Sequence, residues 1–206
     1  RAERVDVRTG NNAQTVDVVR YAVQARLISV PTVTSAVIAA LCETSQCCRT
    51  LKDDSERKLK CENDDFVRLT SNVRSLRTLS LGARIAARSS ENDRIVATIS
   101  NIRIVRRNLR ELDFPHSAPT GLRALKNFER LRRLTLKGST AAMLDLEEAF
   151  SLDLGQTIRH LTLVNATPAI SSIDFLQRCR SLRSVGLVSC VVLTDISALR
   201  EMSLLE

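Results

Sequence analysis

The amino-acid sequence predicts an α/β solenoid, in which short parallel strands stack coil upon coil into one curved sheet and short helices or 3-10 turns return along the convex side. Three observations carry this. An apolar pattern, L-x-x-L-x-L, recurs five times through the later two-thirds of the chain. Between the copies lie segments whose apolar residues fall three apart, the spacing of a helical return. Aromatic residues are only 3%, with one Tyr and no Trp, so the core has to be built from Leu, Ile and Val.

The copies are Leu76-Leu79-Leu81, Leu109-Leu112-Phe114, Leu131-Leu134-Leu136, Ile158-Leu161-Leu163 and Leu182-Val185-Leu187. Their first positions stand 33, 22, 27 and 24 residues apart, and Leu204, 22 further on, would open a sixth. The long 33-residue step predicts an insertion or a degenerate repeat around residues 89–103. In each copy the last two apolar residues alternate along a strand and face one side. The first sits in the turn that enters the strand. Leu122, Leu125 and Phe128 predict one return segment, Ile173, Leu176 and Cys179 a second, and Ile196 with Leu199 a third. One coil cannot bury its apolar face alone, whereas stacked coils share a continuous core.

These copies resemble leucine-rich repeats. Ser181–Cys190 followed by Val191-Val-Leu-Thr-Asp-Ile-Ser-Ala-Leu199 is similar to the cysteine-containing variants of F-box-type adaptors and of trypanosomatid leucine-rich-repeat proteins, and, with Asn for Cys, to bacterial internalins. The resemblance covers residues 66–206 and implies a concave face that holds a protein partner. It also implies an Asn or Cys eight places after the first Leu, bonded to the neighbouring turn. Cys190 fits that place; Arg84, Ser117, Ser139 and Ala166 do not.

Residues 1–65 are read as a helical N-terminal cap or as degraded repeats. Thr15–Ala25 and Thr34–Leu51 have helical character, with Pro31 as the break between them. Val5 and Val7 alternate as in a strand, and Cys48-x-x-Leu51 has the form of a worn repeat. Lys52–Asp65 reads as a charged connection. The chain starts at Arg1 and stops within the repeat pattern, which predicts a piece of a longer protein.

The net charge of +8 is carried mostly by Arg, since the lysines are only Lys52, Lys58, Lys60, Lys126 and Lys137. Such a chain is drawn to RNA, acidic membranes or acidic proteins. No apolar run approaches the roughly 20 residues of a membrane helix. The six cysteines form no C-x-x-C pair, and reduced thiols in an intracellular compartment are expected. His116 and His160 lie in different copies with no nucleophile motif beside them, and the six glycines form no phosphate loop, so no catalytic, metal or cofactor site is expected. A small-molecule substrate is not expected either.

Function is therefore sought on the strand residues that point away from the core. They are Thr78, Ser80 and Gly82; Glu111, Asp113 and Pro115; Arg133, Thr135 and Lys137; His160, Thr162 and Val164; and Ser184, Gly186 and Val188. Their character changes from acidic to basic to small and apolar along the axis, which suits one specific protein partner better than a uniform polyanion. A second feature is constant: Arg follows the first apolar residue in every copy, as Arg77, Arg110, Arg132, Arg159 and Arg183. Stacked strands would align these guanidinium groups as a docking row for phosphate or carboxylate. Two further basic clusters, Arg103, Arg106, Arg107 with Arg110, and Arg130 with Arg132 and Arg133, have the composition of RNA-phosphate contacts. The expected function is a non-catalytic interaction scaffold in a larger assembly. The alternatives are an RNA-processing or ribonucleoprotein component contacting RNA through its Arg-rich edges, and a ubiquitin-ligase recognition arm, for which residues 1–65 offer no F-box.

Overall fold

A computed structural model describes residues 4–7, 12–22, 24–30, 34–44, 47–53, 63–81, 96–114, 122–138, 143–150, 153–165 and 170–206. Eight strands form one parallel sheet: β1 (Arg4–Asp6), β2 (Leu27–Val30), β3 (Thr50–Asp53), β4 (Thr78–Ser80), β5 (Glu111–Phe114), β6 (Arg133–Lys137), β7 (His160–Val164) and β8 (Ser184–Val188). Their order in the sheet is their order in the chain, so each coil adds one strand beside the last. The register stacks Val5, Ile28, Leu51, Leu79, Leu112, Leu134, Leu161 and Val185 in a single column. The six inner members are fully buried. Burying a side chain of this size contributes roughly 1.5–3 kcal/mol, and only stacking removes both of its flanks from water. Val5 and Val185, at the two ends, are only partly buried because each has a neighbour on one side.

The strands before Thr78 arise from the same rule with smaller residues. Ala25 and Cys48 occupy the place that Leu76 holds, and each is about as dry, at 1% against 5% exposure. The charged stretch Lys52–Asp65 is not simply a connection. It begins inside β3 and ends in a helix, with residues 54–62 outside the described residues. The helical reading of Thr34–Leu51 also ran too far, since the helix stops at Thr44 and Thr50–Asp53 is strand. Leu51 is claimed by the sheet because it pairs in register with Ile28 and Leu79.

Returns differ along the axis. The first three coils return through the ten-residue helices α1 (Asn12–Tyr21), α2 (Ser35–Thr44) and α3 (Asn63–Asn72). The coil of β4 returns through residues 96–100, which are helical, and α4 (Arg103–Asn108); that of β6 returns through α5 (Met143–Ala149) and α6 (Asp153–Thr157). The coils of β5, β7 and β8 use 3-10 turns at Leu122–Asn127, Asp174–Arg178 and Ser197–Glu201. A three-residue spacing of apolar side chains suits the 3-10 repeat. It buries Leu122, Leu125 and Phe128 in one coil, and Ile173, Leu176 and Cys179 in another. Ile196, at the same place in the coil of β8, departs from this and is 55% exposed.

The motif around Asp195 has a local cause. Its Oδ1 accepts a hydrogen bond from the Ser197 amide at 2.8 Å, satisfying a donor at the start of the last 3-10 turn. That contact holds the Asp195 carboxyl below its usual pKa. Ser172 Oγ does the same for the Asp174 amide one coil earlier, at 3.1 Å. Strands β6, β7 and β8 each run into a left-handed residue, Gly138, Asn165 and Ser189, with φ of 62°, 51° and 54°. The Cys190 thiol then faces the carbonyls of Leu163 and Val188 at 3.7 Å, the neighbouring-turn contact that the family resemblance implied. No helix among the described residues is long and apolar enough to cross a membrane.

Candidate functional site

The alternation expected of the strands is present, with burial pattern intermediate–buried–intermediate–buried in β5 and a matching one in β7. One outward row runs Thr50, Thr78, Glu111, Arg133, His160, Ser184, and the next runs Lys52, Ser80, Asp113, Thr135, Thr162, Gly186. At the centre the acids are anchored by the preceding coil. Thr78 Oγ1 donates to Glu111 Oε2 at 3.3 Å, and Ser80 Oγ donates to Asp113 Oδ2 at 3.0 Å. Ser80 is consequently 6% exposed and supports Asp113 more than it presents itself. Lys137 lies one strand beyond on the same face, and Gly186 leaves room for Thr162, whose Cγ2 would stand 3.2 Å from an added Cβ. Gly82, Pro115 and His116 lie outside the described residues.

The arginine row lies at the N-terminal end of the strands, each Arg immediately preceding its strand. The structure lengthens it by two coils. Arg26 follows Ala25 and Arg49 follows Cys48, so the series is Arg26, Arg49, Arg77, Arg110, Arg132, Arg159 and Arg183. Backbone hydrogen bonds of 2.7–2.8 Å join each Arg amide to the carbonyl of the Arg before it. From Arg26 to Arg159 that carbonyl also accepts from the next residue of the following coil, as Thr50 does from Arg26 at 3.0 Å. The Glu206 amide continues the ladder onto the Arg183 carbonyl at 2.7 Å. The residue that opens the next coil is therefore Leu205, which is partly buried, and not Leu204, which is 51% exposed.

Among the described residues, no carboxylate comes within ion-pair distance of Arg49, Arg110, Arg132 or Arg159. Arg77 Nη1 donates to the Asn108 carbonyl at 3.3 Å, and Arg183 meets Glu206 at 3.6 Å. Desolvation, then the charges of Arg110, Arg49 and Arg130, lower the pKa of Arg77. Arg159 first, then desolvation, Arg110 and Arg130, lower that of Arg132.

The other basic residues divide differently. Arg106 and Arg107 both reach Glu129, at 3.3 and 3.4 Å, and Arg106 Nε also donates to the Asn127 carbonyl at 3.0 Å. Arg123 and Lys126 meet Asp145 and Glu148 on α5. These pairs staple one return segment to the next, and at exposed sites such pairs fix geometry more than they stabilise. Arg106 and Arg107 are thus committed to the return face, which the sequence did not reveal. Burial pushes the thiols of Cys48 and Cys179 up to about 12, leaving them protonated and unreactive at neutral pH. No cluster of three or more metal-ligating side chains occurs among the described residues.

A parallel sheet built one strand per coil, with short returns and a varied outward face, defines a leucine-rich-repeat-like solenoid. A solved chain described as a TLR13–ssRNA13 complex has the same fold, with a TM-score of 0.57 at 17% sequence identity. The likeness covers 93% of this chain, which spans 29% of that one. No family model and no curated protein matches the sequence.

Proposed function

We propose that this solenoid is a non-catalytic scaffold that holds a protein partner on its outward strand face, centred on β4 to β7, within a larger assembly. The observation that carries the reading is the pair of anchored acids beside a basic strand: Glu111 and Asp113, fixed by Thr78 and Ser80, adjoin Arg133, Thr135 and Lys137. Polar groups held in place on rigid strands bind with less ordering cost than groups on loops. His160, Thr162 and Ser184 extend the face towards a neutral end.

The test compares partners captured by the full-length protein from its own cells with those captured by Asp113→Lys/Arg133→Glu, both after nuclease treatment. The reading expects a defined set of proteins to survive nuclease and to fall about tenfold with the charge-reversed variant, a loss of roughly 1.4 kcal/mol. Identical recovery with both proteins, or loss of every partner on nuclease treatment, sinks it.

A second reading, a ribonucleoprotein component that meets RNA through Arg-rich edges, is favoured by the unbroken arginine series. The TLR13 chain of the same fold is itself in a complex with ssRNA.

A further inference from the structure

The outward strand face changes its chemistry at every coil, whereas the strand-entry edge keeps Arg from the coil of β2 to that of β8. Seven successive coils present Arg there, and the backbone amide of each inner one is consumed by the ladder. The guanidinium is the group that the ladder does not use, although that of Arg77 also donates to the Asn108 carbonyl and that of Arg183 meets Glu206. Six intervals of about 4.8 Å give the column a length of about 29 Å. Like charges this close repel, and among the described residues no carboxylate lies within ion-pair distance of Arg49, Arg110, Arg132 or Arg159 to offset the repulsion. A mixed surface fits a partner of mixed chemistry; a uniform one fits a polymer that repeats a single charge.

We propose that Arg26, Arg49, Arg77, Arg110, Arg132, Arg159 and Arg183 form a track for the phosphodiester backbone of one nucleic-acid strand, gripped without regard to base. Guanidinium forks match phosphate oxygens bidentately. Base-blind binding agrees with a chain that has one Tyr and no Trp, and so little aromatic surface on which bases could stack. At a stacked rise of about 3.4 Å per nucleotide, a track of about 29 Å spans about eight or nine nucleotides. The two N-terminal arginines matter to this length, since the column from Arg77 onward would hold only about six. The inference rests on the second reading for its ligand class and goes beyond it in placing the contact.

The test is fluorescence polarisation of the full chain with labelled oligo-U of increasing length, at several salt concentrations. Affinity is expected to rise with length and level off near nine nucleotides. Arg110→Gln/Arg132→Gln/Arg159→Gln is expected to weaken binding tenfold or more, and to lower the log–log salt slope by about 2, at about 0.7 per phosphate contact. Arg68→Gln/Arg178→Gln/Arg200→Gln removes the same charge from exposed positions off the column and is expected to change affinity less than twofold. Thermal melts verify that both variants fold. If the Gln variant does not, the triple Arg→Lys variant at the same three positions keeps the charge and loses the forks. It should bind several-fold more weakly with an unchanged slope; full affinity there would overturn the bidentate grip. Equal weakening by both Gln triples overturns the track while leaving RNA contact by overall charge. Tighter binding of an oligo-glutamate of equal charge assigns the column to an acidic protein segment and also overturns it. No RNA binding at all removes this inference and the ribonucleoprotein reading together.

Discussion

In the coils of β2 and β3 the residue that turns into the strand is Ala25 or Cys48, and the return is a ten-residue α-helix. In the coil of β7 the same place holds Ile158, and the return is a five-residue 3-10 turn. Both arrangements leave the entry residue buried. The difference is one of volume. Helix α2 alone lowers Val37, Ile38, Ala40 and Leu41 into the core, whereas the 3-10 turn at Asp174–Arg178 contributes Phe175 and Leu176. In these two coils a ten-residue helix accompanies a small entry residue, in keeping with interiors that fill to a nearly constant density, whereas the split helical returns of the β4 and β6 coils accompany Leu76 and Leu131. What the coils share is a filled cross-section more than a fixed residue at a fixed place.

The comparison is tested most severely in the shared column. Leu51→Ala in β3 and Leu134→Ala in β6 remove fully buried side chains and should each cost about 2–5 kcal/mol in denaturant unfolding. If the early coils share one core with the later ones, both substitutions move the same transition. A second transition that responds to Leu51→Ala alone would divide the molecule.

A smaller effect is expected at the entry position. Cys48→Leu writes the repeat pattern more fully, yet it overfills a site already 1% exposed and should cost about 1–3 kcal/mol. In a chain of this size, the melting temperature should fall by roughly 2–4 °C per kcal/mol. A rise in melting temperature would show that the helix does not compensate for the small residue.

The smallest effect is on pH. Cys48 lies in the early region and Cys179 in the late one, and burial raises both thiols to about 12. A thiol that resists ionisation only in the folded state contributes stability that is complete below the unfolded pKa, about 8.5, and is lost as pH climbs towards 12. By pH 9 the loss should be about 1 kcal/mol per thiol. Cys48→Ala and Cys179→Ala should each remove about half of what these two thiols contribute to the pH dependence between about pH 7.5 and 9.5, with Cys42, whose thiol burial also raises, supplying a further part. Unequal halves would mean that the two regions are not equally dry.

The five coils from Leu76 onward were legible because Leu, Ile, Val or, once, Phe recurs at each inward place. Those of β2 and β3 were not, because Ala25 and Cys48 carry little hydrophobic signal and Asp53 stands where Leu81 or Leu136 would later appear. The strand face could be read from alternation alone, and Thr78, Glu111, Arg133 and His160 do share one row. The support that Ser80 gives Asp113 could not, since a hydroxyl one coil away carries no mark of its partner. Five members of the arginine column were visible in the text of the repeats; Arg26 and Arg49 emerged only once their strands had been placed. The commitment of Arg106 and Arg107 to Glu129 depends on how return segments stack, which no local spacing encodes.

The ladder that joins Arg26 to Glu206 has a mechanical consequence. Its bonds lie along the long axis of the solenoid, so tension applied between the ends loads every coil junction in series. A chain of elements in series yields at its weakest member, and the terminal junctions are the least buried. Extension would then proceed coil by coil from an end, each step releasing a contour length set by that coil's residue count, at about 3.4 Å per residue. Because the coils differ in length, such a molecule behaves as a spring with unequal notches, longest where the coil of β4 pays out.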